Sequence, residues 1–406
     1  MLAPRVVFGQ RGQWAILGSS SALSISNLTY SNSQATFFNA TGAIGIDYFV
    51  VNNVSIGLDL EATYSDDKGY GTTSLIDTTS STLAGGVRFG LNVPLGQWLS
   101  WYPRLTLLLA SDHQRTTPIS SANGAAATPS SSQSTVGPAL SVFAPLLVHP
   151  APHLVVGFGP RLEYDLGVTR GGPNDGSQLS WYGVQCVVGG YWGGAVREST
   201  ERTGSEKLEG QVEDAFGKKG QLVLTMGTDA SAFYRSYSHG KGSRTDLSLS
   251  PSFDYFAADD ISVGLDASVS YTSGMSLDSA GATRFSSTNF GVAPRLGGNV
   301  VLSEFASIWF LGELGYGVVE QSLSSESGSN VHTRHRTWFA ISTPVLLHPS
   351  RHFFVGAGPF LFHELSDKDQ VNAEIDATNI GLSLIIGGYF DLFGERPTPP
   401  SGRSNP

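Results

Sequence analysis

Apolar and polar residues alternate along most of this chain with a period of two. In VSIGLDLEATY (54–64), Val54, Ile56, Leu58 and Leu60 fall on one side, and Ser55, Gly57, Asp59 and Glu61 on the other. In VRFGLNV (87–93), Val87, Phe89, Leu91 and Val93 alternate with Arg88, Gly90 and Asn92. Ile44, Ile46 and Tyr48 alternate in the same way with Gly45 and Asp47. Such a period belongs to β-strands. In the first half of the chain it predicts eight strands, near 13–25, 36–50, 54–64, 82–93, 99–110, 135–147, 153–164 and 180–192. Long Ser/Thr/Gly/Asn-rich links, such as 111–134, follow strands one, three, five and seven. Short links follow strands two, four and six: VNN (51–53), PLGQ (94–97) and VHPAPH (148–153). Long loops on one rim and tight turns on the other describe an up-and-down transmembrane barrel, with apolar residues facing lipid and polar residues facing inward. Asp47, Asp59, Glu61 and Arg88 are therefore expected inside.

The second half repeats the first. FGQRGQ (8–13) corresponds to FGKKGQ (216–221), and DYFVVNNVSIGLD (47–59) to DYFAADDISVGLD (254–266). GGVRFGLNVPL (85–95) matches VAPRLGGNVVL (292–302), so Asp254, Asp266 and Arg295 repeat the charges of Asp47, Asp59 and Arg88. LLVHPAPHLVVGFGP (146–160) returns as LLHPSRHFFVGAGP (346–359), and VVGGYW (187–192) as IIGGYF (385–390). The expected organisation is a repeat over 1–193, a charged periplasmic linker over 194–219, a second repeat over 220–393 and a disordered tail over 394–406. The linker carries 11 charged residues in 26 positions, and Leu208, Val212 and Phe216, four apart, would suit one short amphipathic helix.

Composition narrows the class. Charged residues are 14% of 406, with 49 Gly and 11% aromatics, and no apolar run is long enough for a membrane helix. A net charge of −10 without basic patches argues against nucleic acid. One cysteine, Cys186, excludes a disulfide framework. The start, MLAPRVVFGQ, has no apolar signal core, so any signal peptide is expected to have been removed.

Candidate chemistry is sparse. Carboxylates beside arginine can do acid–base work, but the same charges in both copies fit a lumen-filling salt-bridge network better. Gly157 and Gly159 are expected to make room for such long side chains. His149 with His153, and His348 with His352, are spaced for a metal on a helix, which the intervening proline opposes; interfacial rim residues are the preferred role. Catalytic, cofactor and metal sites are expected to be absent. His113, His239 and His363 are scattered, and the acidic stretch 364–376 reads as a solvated outer loop rather than a cation site.

With these residues in view, the chain resembles the small eight-stranded outer-membrane barrels of Gram-negative bacteria, of the outer-membrane protein A and X type, almost throughout and twice over. IIGGYFDLF looks like that family's assembly signal, which would involve Gly387, Phe390 and Leu392. The resemblance implies an all-β transmembrane antiparallel barrel in the outer membrane. Its partners would be outer-membrane lipids, lipopolysaccharide and the barrel assembly machinery. Sixteen strands allow two tandem eight-stranded barrels or one sixteen-stranded porin; inward Asp–Arg sets favour the tandem form. The leading expectation is a non-enzymatic structural or surface-display protein, the alternatives being a porin for small polar solutes and a lipid-modifying enzyme.

Overall fold

A computed structural model describes residues 7–18, 23–30, 36–70, 74–121, 130–170, 178–194, 215–225, 229–237, 242–278, 281–325, 328–369 and 377–392. All regular structure among them is antiparallel strand, closed into one sixteen-stranded barrel. The first repeat opens with Gln13–Gly18 and Leu23–Tyr30, and closes with Leu179–Gly193. The second opens with Gln221–Thr225 and Asp229–Tyr237, and closes with Ala377–Asp391.

Each opening strand keeps one neighbour along its length and exchanges the other. Gln13–Gly18 pairs with the closing strand of its own repeat, from Gln13↔Gly193 to Gly18↔Val188. Leu23–Tyr30 pairs instead with the closing strand of the second repeat, from Leu23↔Leu384 to Tyr30↔Ala377. The second repeat does the same in reverse: Gln221↔Asp391 to Thr225↔Gly387 lies within the repeat, and Ser231↔Gln185 to Tyr237↔Leu179 lies across. At the long-loop end the strands therefore form a single sixteen-stranded ring. At the short-turn end, periplasmic by loop length, the same strands divide into two eight-stranded lobes. Two fully separate barrels, the arrangement favoured from the inward charges, are not what forms; the single barrel is. Strand closure uses backbone N–H and C=O groups, which no side-chain pattern discloses.

The expected faces hold. Val54, Ile56, Leu58, Leu60, Val87, Phe89 and Leu91 are exposed on the outer wall, whereas Asp47, Arg88 and Asn92 are buried inside. Trp14, Trp98 and Trp101 are exposed outward near the short turns, where interfacial aromatics belong. A closed ring with an apolar outside leaves no backbone group unpaired in hydrocarbon, so this is an outer-membrane barrel.

One outer patch is dry. Leu154, Val188 and Ile16 of the first lobe and Phe353 and Ile386 of the second point outward, yet are buried against one another between the lobes. The Trp192 and Phe353 rings stack at 6.1 Å and 11°. Phe216 belongs to the second lobe's interior and not to a linker helix; Leu208, Val212 and the charged stretch around them lie outside the described residues, as does the tail after 392.

Candidate functional site: the interiors of the two lobes

The floor of each lobe is built by the repeated FGxxGQ phrase. Gly9 and Gly12 take φ of 95° and 84°, where a side chain would be strained. The buried Gln13 amide closes the turn: its Oε1 accepts from the Gly9 and Gln10 N–H groups at 2.8 and 2.9 Å, and its Nε2 donates to the Val7 carbonyl at 2.9 Å. Gln221 repeats this on Gly217, Lys218 and Ala215 at 3.0, 3.0 and 2.9 Å. The turn thereby drives a phenylalanine up into the lobe. Phe8 lies 5.1–5.3 Å from the rings of Phe49, Tyr102 and Tyr191. Phe216 lies 5.2–5.6 Å from those of Phe256, Trp309, Phe354 and Tyr389. Both clusters are buried, so each periplasmic end carries a plug.

The paired histidines complete the floors. His149 and His348 sit inside, bonded through Nε2 to Ser100 Oγ at 2.9 Å and Ser307 Oγ at 3.0 Å, and packed 5.6 and 5.4 Å from Phe8 and Phe216. His153 and His352 are the second residues of tight turns, with φ of 67° and 65°, and bond through Nδ1 to the Tyr191 and Tyr389 carbonyls. His153 and His352 are thus turn residues of the short rim, whereas His149 and His348 pack into the plugs, deeper than the rim position expected of them. Strand continues through His149 and Pro150 to Ala151. In the exposed turn Ala258–Ile261, the Lys219 N–H and the Lys218 ammonium hold the Asp259 carboxyl below the usual carboxylate range.

Above the first plug lies a layer of charge. Arg88 donates to Asp47 at 3.3 Å and to Asp59. Its guanidinium occupies the space left open at Gly45, and Asp47 that at Gly57. Gly157 and Gly159 admit Leu147 and the backbone of Ala144–Pro145 instead, so they do not serve the charges. Glu61 lines the same cavity of about 90 Å³ without a salt bridge among the described residues. Sequence reasoning missed Arg104, buried with its Nη1 3.6 Å from Asp47 and its guanidinium 4.9 Å over Phe143. It also missed Arg161, which pairs with Glu163 at 3.1 Å and lies 4.7 Å over Trp181. Their inward register on strands 104–121 and 154–165 is the signal that would have found them.

In the second lobe Arg295 binds Asp254 at 3.0 Å and Ser252 at 2.9 Å, and reaches Asp266 at 3.9 Å. Gly387 faces inward against Phe354, Phe390 packs on the seam between the lobes, and Leu392 is exposed. No group of three or more His, Cys, Asp or Glu among the described residues is arranged to hold a metal ion.

No family model and no curated protein matches the chain. Among solved structures, the attachment invasion locus protein Ail of Yersinia pestis aligns at 16% identity over 45% of this chain and 98% of its own, with a TM-score of 0.24. A Pseudomonas aeruginosa FadL homologue aligns at 11% over 95% and 91%, with a TM-score of 0.37. The toluene transporter TodX of P. putida aligns at 7% over 95% and 91%, with a TM-score of 0.34. The chain is similar to these only at that level, and its assignment as an outer-membrane barrel stands on its own closed architecture.

Proposed function

We propose that the protein is a non-enzymatic outer-membrane barrel, sealed toward the periplasm, with a structural and surface-display role carried by its long outer loops. The observation behind this reading is the pair of aromatic plugs around Phe8 and Phe216, buried at the two periplasmic ends. A buried apolar contact joins the two lobes beside these plugs. Outer-membrane lipids, lipopolysaccharide and the barrel assembly machinery are the partners this role entails. The second reading, a porin for small polar solutes, is favoured by the sixteen-stranded outer half, since rings of that size enclose water. Planar-bilayer recording separates the two. The sealed barrel passes no stepwise current, whereas steady large conductance from the wild-type chain would make it a porin. Lipase and acyltransferase assays on vesicles are expected to give no product; turnover would end the non-enzymatic reading.

A further inference from the structure

The two lobes share one interior plan and part ways at a few of its positions. Where the first lobe has Arg104, Thr106, Arg161 and Glu163, matching places in the second hold Leu311, Glu313, Phe360 and Phe362. Both cations have gone, while a new carboxylate has arrived directly opposite Arg295 on the adjacent strand. In the first lobe three cations, Arg88, Arg104 and Arg161, stand among Asp47, Asp59, Glu61, Glu163 and, further out on the same strand, Asp165. In the second Asp254, Asp266 and Glu313 face Arg295 alone, two cations short. Arg336, one layer nearer the vestibule, is already matched by Glu364 at 3.5 Å.

The changed residues surround a cavity of about 290 Å³, bounded by Arg295, Leu311, Glu313, Phe360, Phe362 and Asn379. No salt bridge among the described residues reaches Glu313, although Arg295 stands opposite it on the adjacent strand, already engaged by Asp254 and Asp266. The Trp338 and Phe362 rings are 6.1 Å apart. The Asn379 Oδ1 is buried without a hydrogen-bond partner. Surplus negative charge in a low-dielectric interior has to be met by a proton or a cation. Aromatic walls and a lone acceptor suit an organic cation, because ring faces attract ammonium groups. A bare divalent ion would want six or more oxygens, which Leu311, Phe360 and Phe362 do not offer.

We infer that the second lobe binds a small organic ammonium ion entering from the outer vestibule. Its charge lies against Glu313 and Asn379 Oδ1, and its apolar part lies along Phe360 and Phe362. The first lobe fills the same place with its own arginines and does not bind. Binding is read independently of conductance, so this site and the sealed-barrel reading can fail separately.

The test is calorimetric titration of the full chain, folded in a non-ionic maltoside detergent, with phenethylammonium as probe and 2-phenylethanol and K⁺ as controls. Saturable one-to-one binding of phenethylammonium, absent for both controls, is expected. Glu313→Gln, which keeps the volume, should weaken it at least tenfold, and Leu311→Arg, which restores the first lobe's cation, should abolish it. Gel mobility with and without heating checks that each variant folds, and Glu313→Gln decides the matter if Leu311→Arg does not. Absence of saturable binding by the wild type, equal binding of the alcohol, or an unchanged Glu313→Gln would overturn the site.

Discussion

Phe353 of the second repeat occupies the space that Gly190 of the first leaves open, and a Cβ at residue 190 would clash with its ring carbons. Leu154 stands in the same way over Gly388. The repeated Gly-Gly-Tyr phrases are thus the sockets by which the lobes hold each other, whatever else they signal during assembly. Gly190→Val should cost about 1–3 kcal/mol through overpacking. Pairing it with Phe353→Ala should cost less than the two single changes added together. Urea midpoints of the folded chain in vesicles measure both, and strict additivity would deny the contact.

The Arg88 ion cluster is buried beside two carboxylates, so removing only the cation leaves charge without a partner. Arg88→Met should lower stability by about 3–5 kcal/mol, and adding Asp47→Asn should recover part of that loss. A double variant no better than Arg88→Met would show that Asp47 is held by other groups, Arg104 first among them.

On the outer wall, lysine substitutions should cost most at mid-depth and least near the short turns. Val87→Lys is expected to cost roughly 2–4 kcal/mol and Leu91→Lys about 0–1 kcal/mol. Both positions are exposed to lipid, four residues apart on the strand Ser74–Leu91. Equal costs would place the membrane elsewhere on this strand.

Much of this was legible from the alternation and the duplication. Val54 to Leu60 and Val87 to Leu91 face outward because a one-residue slip would bury them among Asp47, Asp59 and Arg88. The tight turns at Asn53, His153, Asp260 and His352 were visible as short links, although nothing in a histidine announces a φ near 66°. The plugs were harder to see, since Phe8 and Phe216 lie outside any strand and only the repetition of FGxxGQ marks them. Least visible was the exchange of partners between Gln13–Gly18 and Leu23–Tyr30, and between Gln221–Thr225 and Asp229–Tyr237. Hydrogen bonds of the backbone decide it, and both repeats carry side chains compatible with either closure.

One cross-link tests that exchange. Ile25 and Leu382 are Cα partners across the outer seam, on different repeats. With Cys186 replaced by Ser, cysteines at 25 and 382 stand within disulfide range of paired strands. A protease site placed between residues 197 and 214 then allows the repeats to be cut apart after oxidation. The single outer ring predicts two fragments that stay covalently joined in denaturing gels until reduced. Fragments that separate freely, with efficient cross-linking instead in a second variant that pairs a cysteine at 25 with one at 181 on the closing strand of its own repeat, would mean two independent barrels.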